Sequence, residues 1–351
     1  MSLHVPKSSL PRVVIAGGGF GGLRLAQALD ASRFQVVLID HHNYHQFPPL
    51  IYQVASSGLE PSSIAFPFRS AFRKRKNFHF RLASVIGVRE QEQCLETSVG
   101  EIHYDYLVLA CGGTTNFFGN EEVARHSLPM KTLYESMNLR NVLLQHIEQA
   151  LVTDDPMEAQ ALLTVAIVGG GPTGVEIAGA LAEMKRYVLP KDYPDLDAAR
   201  FTIHLLDAAP RLLGAMSEKS SETALRELQS MGVEVRTHTL VSGYDGKVLT
   251  LQDGTQLPSR NVIWVSGIVA NTVEGLPADT LGRGKRLLVD EHSQVIGHPR
   301  IFAVGDQSLM TTDPAYPNGH PQMAQVALQQ AKQLASNLKD LEDGKPLAPF
   351  Q

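Results

Sequence analysis

The chain contains one 17-residue pattern twice, and this duplication constrains its fold more than any other feature. Residues 13–29 align without a gap on residues 165–181, and nine of the 17 positions are identical. The two copies begin 152 residues apart, which is a typical domain length. A chain of 351 residues therefore holds two copies of one unit, with enough residues for a hydrophobic core in each.

Each copy has a short apolar run, a G-x-G-x-x-G pattern and then an apolar helical segment. The run Val13–Ala16 predicts a strand buried on both faces, as in a parallel sheet. In such a pattern the first glycine makes a tight turn, the second lets the backbone approach a pyrophosphate, and the third packs helix on strand. The free N–H groups at the helix start then stabilise the phosphates. The glycines are Gly17, Gly19 and Gly22 in the first copy and Gly169, Gly171 and Gly174 in the second.

An aspartate closes the next predicted strand of each copy. Asp40 follows Val36–Ile39, and Asp207 follows Thr202–Leu206, 23 and 38 residues after the first glycine of their copies. An acid at this position typically binds a ribose hydroxyl, which favours NAD(H) over NADP(H) at the second site. Arg211, shortly downstream, leaves the opposite preference open. Two dinucleotide sites are therefore predicted.

Two such sites in one chain predict a relay in which a nicotinamide passes hydride to a bound flavin. Two later buried strands, within 104–113 and 300–306, end in small residues and in Gly-Asp, and return the chain to its first unit. The first unit is therefore the predicted flavin holder. The predicted fold class is α/β, with two Rossmann-like dinucleotide-binding domains, the second inserted in the first. The predicted domains are 10–120 with 285–345 for FAD, and 121–284 for NADH.

Four further segments carry a resemblance to known proteins. They are Asn43–Ala55, Gly171–Glu176, Val262–Gly267 and Ala324–Gln329, the last of which matches an A-Q-x-A-x-Q quinone-site motif. Through these segments the chain resembles the two-dinucleotide-binding-domain flavoproteins, and among them the type II (non-proton-pumping) NADH:quinone oxidoreductases. The resemblance runs from about Pro11 to Phe350.

The resemblance implies an FAD-dependent enzyme of electron transport that passes hydride from NADH to FAD and then two electrons to a membrane quinone. The FAD-binding residues that it implies are Gly17, Gly19, Phe20, Gly21, Gly22, Asp40, Gln53, Ala110, Gly112, Gly305 and Asp306. The NADH-binding residues are Gly169, Gly171, Pro172, Thr173, Gly174, Glu176, Asp207 and Gly267. The catalytic residues are Glu176, Gln325 and Gln329.

The residues proposed for quinone chemistry also have simpler explanations. Gln325 and Gln329 share one face of a helix predicted from Pro321 to about Asp343, closed by Gly344. Neutral amides there can bond quinone carbonyls without adding a charge, although a solvated helix face has the same composition. Glu176 is expected in the first turn of its helix, where the dipole alone favours a carboxylate.

Composition and spacing exclude several other classes of protein. A net charge of −5 disfavours a general nucleic-acid binder. Cys94 and Cys111 form no C-x-x-C pair, which disfavours a disulfide reductase and a zinc site. The spacing within His41–His45 fits no common ligand pattern, so no metal is predicted. Arg73–Lys76 with Arg69 is predicted to be a solvated helix end, with anionic lipid as the alternative partner.

No membrane span is predicted. Residues 161–182 carry one charge, but Gly169–Pro172 would break a helix in lipid. The start of the chain lacks signal-peptide features, so a cytoplasmic location is expected. Members of the family usually continue beyond the position of Phe350 with a membrane-binding segment. A longer natural chain is therefore expected, peripheral on the inner face of the cell membrane, and a homodimer is left open.

Two other functions agree with the same residues. One is an NADH-dependent reductase of a ferredoxin- or rubredoxin-type protein, which would share the fold and the relay. The other is a flavin-bound redox sensor that binds NADH without turnover.

Overall fold

Two α/β units make up residues 2–351, the part of the chain that this computed structural model describes. Unit 1 consists of the chain up to His45, Phe66–Thr114 and Ile268–Gln351. Unit 2 consists of Gln46–Ala65 and Thr115–Gly267. The predicted mixed α/β fold, with the second unit inserted in the first, is confirmed.

The elements below are numbered in chain order. The strands are β1 Arg12–Ala16, β2 Gln35–Asp40, β3 Tyr44–Gln46, β4 Ala65–Pro67, β5 Phe78–Leu82, β6 Val85–Arg89, β7 Cys94–Thr97, β8 Gly100–His103, β9 Tyr106–Leu109, β10 Gly113–Thr115, β11 Leu128–Pro129, β12 Thr164–Val168, β13 Thr202–Leu206, β14 Glu234–Arg236, β15 Val241–Tyr244, β16 Val248–Leu251, β17 Gln256–Pro258, β18 Asn261–Trp264, β19 Ile268–Ala270, β20 Leu287–Val289, β21 Ile301–Ala303 and β22 Ser308–Met310. The α-helices are α1 Phe20–Ala28, α2 Ile51–Ala55, α3 Phe68–Ala71, α4 Glu121–His126, α5 Leu133–Val152, α6 Pro156–Leu162, α7 Pro172–Tyr187, α8 Leu189–Asp192, α9 Glu218–Ser230 and α10 Ala324–Glu342.

Unit 1 is built on a parallel sheet with the strand order β21-β9-β1-β2-β5. Both faces of β1 are buried. Val13 and Ile15 lie in the core shared with α1 and α10, whereas Val14 and Ala16 lie in the core shared with the antiparallel sheet β6-β7-β8. A strand covered on both faces requires a continuous apolar run, as the sequence has at this position.

Unit 2 repeats this design. Its parallel sheet has the order β11-β18-β12-β13-β14, so β12 occupies the central position that β1 has in unit 1. An antiparallel three-stranded sheet, β15-β16-β17, shares a hydrophobic core with Ala166 and Val168 of β12. The duplication in the sequence is therefore a duplication of sheet topology.

The unit boundaries differ from the predicted ones at 120/121 and 284/285. Within unit 2, Asn116 donates from its backbone N–H to the carbonyl of Gly267 (3.2 Å), which groups residue 116 with unit 2. Within unit 1, Gly113 packs against Ile268 and Val269, so the chain rejoins unit 1 earlier than predicted. Residues 46–65 also belong to unit 2, because α2 packs on α5 and α7.

One helix boundary and one basic segment differ from the sequence analysis. The predicted start of the last helix at Pro321 is wrong, because α10 begins at Ala324 with Met323 as its N-cap. Its C-terminal end agrees with the prediction, since Gly344 has a φ of +65° immediately beyond the C-cap. In the basic segment, Arg69, Arg73, Lys74 and Lys76 are exposed as predicted, whereas Arg75 is half-buried and donates to the carbonyl of Gln27 (2.8 Å).

Within residues 2–351, no helix combines the length and the apolar character needed to cross a bilayer. The apolar stretch 161–182 runs from the end of α6 through β12 into α7, with the glycine turn between β12 and α7.

Phe66 on β4 and Phe68 at the start of α3 provide a test of the unit 1 core. Phe68 is fully buried, and its ring lies against Gly18 and Phe80, whereas Phe66 is 56% exposed. We expect Phe68→Ala to lower the free energy of unfolding by about 3–5 kcal/mol, through lost burial and a cavity. Phe66→Ala should change it by less than about 0.5 kcal/mol. Urea unfolding measures both, and equal losses would contradict the packing described.

Candidate functional site

The first glycine turn, Gly17–Gly22, joins β1 to α1, and contacts with the backbone require glycine at two of its positions. Gly17 has a φ of +103°, and a Cβ there would lie 2.2 Å from the carbonyl oxygen of Ala110. A Cβ on Gly22 would lie 1.8 Å from the carbonyl oxygen of Gly17. Both glycines are therefore required by contacts within the protein, as predicted for the turn and for helix–strand packing.

The second glycine turn, Gly169–Gly174, has nearly the same geometry between β12 and α7. Gly169 has a φ of +120°, and a Cβ there would lie 2.9 Å from the Cα of Ser266. A Cβ on Gly174 would again lie 1.8 Å from the carbonyl oxygen of the first glycine. In both turns, therefore, the third glycine packs directly against the carbonyl of the first.

The second glycine of each pattern differs from the first and the third, because no contact within the protein requires glycine at its position. Gly19 and Gly171 have φ values of −64° and −74°, and a Cβ on either would have nothing within 4 Å. Both cap a helix, and the first turns of α1 and α7 contain no acidic residue. Each turn is therefore an open cradle beside a positive helix end, which fits a pyrophosphate.

The two predicted ribose-binding aspartates each bond to the turn of their own unit. Oδ2 of Asp40 accepts from the backbone N–H of Gly18 (2.6 Å), and Oδ1 accepts from the N–H of His42 (2.7 Å). Asp207 accepts in the same way from Gly170 and from Ala209 (2.6 Å). A carboxylate has about four acceptor positions, so each side chain retains capacity for ribose hydroxyls. The sequence analysis predicted the ribose role but not this structural one.

The strands β9 and β21, neighbours in the unit 1 sheet, also end in glycine-containing turns. Gly112 follows Ala110 with a φ of +66°, and a Cβ there would have nothing within 4 Å. Gly305 has a φ of +72° and packs on Ala327 of α10. Asp306 follows in a short 3-10 helix, and its carbonyl accepts from the side chain of Gln322 (3.0 Å).

The remaining predicted binding residues have local contacts of their own. Phe20 meets the ring of His45 edge-on, and Gly21 lies beside Val304, which leaves no room for a larger side chain. Gln53 lies on α2, in unit 2 and not in unit 1, and donates to the hydroxyl of Tyr52 (3.1 Å). Pro172 and Thr173 open α7, and Gly267 has a φ of +80° against the ring of Phe118.

The predicted quinone-site glutamines lie at the start of α10 in unit 1. Gln325 is the second residue of the helix, and both Gln325 and Gln329 are exposed. They are four residues apart and so share one helix face, which also carries the exposed Leu328.

Glu176 is the fifth residue of α7 in unit 2, so the predicted place in the first turn is wrong. Its side chain is exposed at the surface. Partial desolvation by the surrounding protein nevertheless raises the pKa of Glu176 above its usual value.

Comparisons with known proteins place this geometry in a family. Residues 11–331 match the pyridine nucleotide-disulphide oxidoreductase family. The type II NADH:quinone oxidoreductase Ndh of Mycobacterium tuberculosis is 34% identical, over 97% of this chain and 75% of that protein. The chain belongs to the type II NADH:quinone oxidoreductases. The resemblance drawn from the sequence, and with it the prediction of an oxidoreductase enzyme, is confirmed.

Two further relatives agree with this assignment to the type II NADH:quinone oxidoreductases. The type II NADH:quinone oxidoreductase of Haemophilus influenzae is 28% identical, over 97% of this chain and 83% of that protein. The structure of NDH2 from Plasmodium falciparum in complex with NADH superposes with a TM-score of 0.87 at 21% identity. The superposition covers 94% of this chain and 83% of the Plasmodium falciparum chain, and it confirms the fold.

Three amide side chains in this type II oxidoreductase, the buried Gln307 and Gln330 and the half-buried Asn271, were missed by the sequence analysis. Gln307 accepts from the N–H of Cys111 (2.8 Å) and donates to the carbonyl of Asn271 (2.7 Å), whose amide returns a bond to the carbonyl of Cys111 (2.8 Å). Gln330 accepts from the N–H of Gly305 (2.8 Å). These amides hold the turns after β9 and β21. Only Gln330 had a signal in the sequence, because it interrupts the apolar helical stripe that includes Ala327 and Leu334.

Both cysteines of this type II oxidoreductase are free, and no group of three or more His, Cys, Asp or Glu that could hold a metal lies within residues 2–351. Cys111 Sγ donates to the carbonyl of Ala16 (3.4 Å), beside the first glycine turn. Burial, reinforced by the negative charge of Asp40, raises the pKa of the Cys111 thiol to about 12. A thiol with this pKa is a poor nucleophile at neutral pH.

The glycine contacts predict effects of different size on the free energy of unfolding for alanine substitutions within one turn. Gly22→Ala and Gly174→Ala force a methyl group against a backbone oxygen, so we expect each to lower the free energy of unfolding by about 3 kcal/mol or more. Gly19→Ala and Gly171→Ala add a methyl group in open space at an ordinary φ, so the change should be below about 1 kcal/mol. Urea unfolding of the four variants measures this, and a destabilised Gly19→Ala would contradict the open cradle.

The raised pKa of Cys111 predicts a pH dependence of its reactivity and of stability. The thiol should resist iodoacetamide in the native protein at pH 8–9, where an unfolded cysteine already ionises. Because the native thiol stays neutral while the unfolded thiol loses its proton, the free energy of unfolding falls as the pH rises from about 9 to about 12. Peptide mapping after alkylation, with and without urea, reports the reactivity. Equal labelling rates in both conditions would contradict the assignment.

Proposed function

We propose that unit 1 binds FAD, that unit 2 binds NADH, and that the enzyme passes two electrons from NADH to a membrane quinone. The observation that carries this proposal is the paired geometry of the two glycine turns. In both turns, protein atoms occupy the space where a side chain of the first or third glycine would lie, and the second glycine faces open space. In both, an aspartate accepts from the N–H of the residue between the first and second glycines. The names of the relatives support the substrates NADH and quinone.

The assignment of FAD to unit 1 is supported by the edge of its parallel sheet. The adjacent strands β21, β9 and β1 all run in the same direction, so the turns that follow them share one edge. Those turns contain Gly305, Gly112 and Gly17, each with a positive φ. Unit 2 has two such turns at its equivalent edge, at Gly169 and Gly267, so the third turn lengthens the binding edge of unit 1, which suits the larger of the two dinucleotides.

The isoalloxazine of FAD, when bound, supplies the redox chemistry, since it can accept a hydride and release two electrons. The chain provides binding and orientation. The starts of α1 and α7 hold the two pyrophosphates, and Asp40 and Asp207 accept from ribose hydroxyls. We further propose Gly169, Gly171, Pro172, Thr173, Gly174, Glu176 and Gly267 as contacts of NADH.

At the acceptor end, the amides of Gln325 and Gln329 donate hydrogen bonds to the carbonyl oxygens of the quinone. These bonds gain strength as negative charge develops on the oxygens, so they favour the reduced form. The family resemblance assigns substrate binding and proton handling to Glu176, and partial desolvation, which raises its pKa, favours the protonated carboxyl.

A preference for NADH over NADPH follows from two side chains of unit 2. A 2′-phosphate would meet the carboxylate of Asp207, which its own hydrogen bonds hold beside the turn. Arg211, the nearby cation in the sequence, already donates to the carbonyls of Gly214 (2.8 Å) and Met216 (3.1 Å). It is therefore engaged away from a phosphate partner.

Since quinones with long isoprenoid tails reside in lipid, we also propose that the enzyme works in peripheral contact with the inner face of the cell membrane. The exposed side chains of Arg69, Arg73, Lys74 and Lys76 supply charge suited to anionic headgroups on that face. A homodimer remains a prediction of the family resemblance.

The decisive experiment follows the absorbance of the purified protein without oxygen. We expect a flavin spectrum that NADH bleaches much faster than NADPH, and that a quinone then restores. Steady-state oxidation of NADH should follow added quinone and not an added ferredoxin or rubredoxin. Turnover with the iron–sulfur protein alone would support the reductase alternative, and bleaching without turnover would support a sensor.

Two variants separate the half-reactions and act as controls for each other. Asp207→Asn removes the charged acceptor for ribose, so it should slow bleaching at low NADH by about tenfold while leaving reoxidation by quinone unchanged. Gln329→Leu removes an amide donor, so it should raise the quinone KM by about tenfold and leave bleaching by NADH unchanged. Loss of both half-reactions in either variant would contradict the assignment of the two ends.

A further inference from the structure

The middle glycine of each turn is held from both sides, but the two units use different groups to do so. In unit 1, Gly18 donates its N–H to Asp40 (2.6 Å), and its carbonyl bonds to Nδ1 of His45 (2.9 Å). In unit 2, Gly170 donates to Asp207, and its carbonyl accepts from the backbone N–H of Leu213 (2.8 Å). The carbonyl is thus held by a side chain in one turn and by the backbone in the other.

The chemistry of this contact fixes the proton on His45. A carbonyl oxygen can only accept a hydrogen bond, so Nδ1 must carry the hydrogen. Nδ1 keeps that hydrogen in the imidazolium form as well, so the bond persists whether or not Nε2 is protonated. The half-buried ring also meets Phe20, the first residue of α1, edge-on with the centroids 5.3 Å apart.

The orientation of one carbonyl determines the orientation of the next N–H. The Gly18 carbonyl and the Gly19 N–H belong to the same planar trans peptide, in which they point in opposite directions. When His45 holds the carbonyl, it therefore directs the Gly19 N–H the other way. Gly19 is the residue whose Cβ position is open, where the proposed pyrophosphate would approach.

We propose that His45 is a positioning residue of the FAD site, whose Nδ1–H holds the Gly18 carbonyl and so directs the Gly19 N–H at the cofactor diphosphate. This inference rests on the proposed binding of FAD in unit 1. Leu213 has the corresponding role at the NADH turn, where no side chain is needed. Substitution of His45 should therefore weaken FAD binding and leave NADH binding intact.

Three substitutions separate the hydrogen bond from the packing of the ring. In His45→Asn the amide nitrogen is as many bonds from Cβ as Nδ1 is, so the donor is kept. His45→Gln places its amide where Nε2 lies, and His45→Leu has no donor. We expect FAD release from the holoprotein, followed by flavin fluorescence, to give a Kd about tenfold higher for Leu and Gln, and within about twofold of wild type for Asn.

A matched control removes the same type of bond elsewhere in unit 1. Nδ1 of His103 bonds to the carbonyl of Glu92 (3.0 Å) on the antiparallel sheet, so His103→Leu should leave the FAD Kd unchanged. Trp264, the single tryptophan, lies on β18 beside β12 in unit 2, so quenching of its fluorescence is the expected readout of NADH binding. The NADH Kd should be unchanged in all of these variants.

Hydrogen exchange gives a readout that needs no cofactor. After removal of FAD from the full chain, amides of residues 17–22 should exchange several-fold faster in His45→Leu and return to the wild-type rate in His45→Asn. Amides of residues 169–174 should not change. If Asn behaves like Leu in both measurements, or if no variant differs from wild type, the role of His45 is overturned. A wild-type protein that binds no FAD would instead overturn the proposed function.

Discussion

The contact between the third glycine and the first glycine's carbonyl oxygen determines where each binding cradle lies. With no Cβ on Gly22 or Gly174, the start of the following helix is pressed against the end of the preceding strand. The helix N-terminus then lies at the carboxyl edge of the parallel sheet, which is where α/β sheets bind ligands. A single methyl group at either position would separate the two and move the helix end away from that edge.

The same contact occurs in two units of equivalent topology, so the differences between the units are informative. In each, the strand before the turn is central in a five-stranded parallel sheet and shares a core with an antiparallel three-stranded sheet. Both units have a positive-φ glycine after the strand next to the central one, Gly112 after β9 and Gly267 after β18. Unit 1 differs by a further glycine turn after β21, and Gln307, Asn271 and Gln330 fix its turns. The glycine turn is thus the same in both units, and the differences lie at the neighbouring strands and in the side chains that hold them.

Local sequence patterns predict the turns because the forces that shape them act over a few residues. The positive φ of Gly17, the buried run before it and Asp40 after the next strand are all readable in one segment. The placement of residues 46–65 in unit 2 depends instead on packing of α2 against α5 and α7, whose residues are distant in the chain. Gln307 bonds to Cys111, 196 positions away, and no local pattern indicates that pairing. The start of α10 was misjudged because Pro321 suits a first turn but does not require one.

Asp40 and Asp207 each combine a structural contact with a proposed binding role. Each carboxylate accepts from the middle glycine of its turn, and each is also the residue expected to bind a ribose. The bond to the turn fixes the carboxylate before any ligand arrives, so little conformational entropy is lost on binding. It also means that replacing the acid changes the turn as well as the ribose contact. A change of cofactor preference at Asp207 therefore requires a residue that still accepts from Gly170, which narrows the useful substitutions to side chains with an acceptor at the same distance from Cβ.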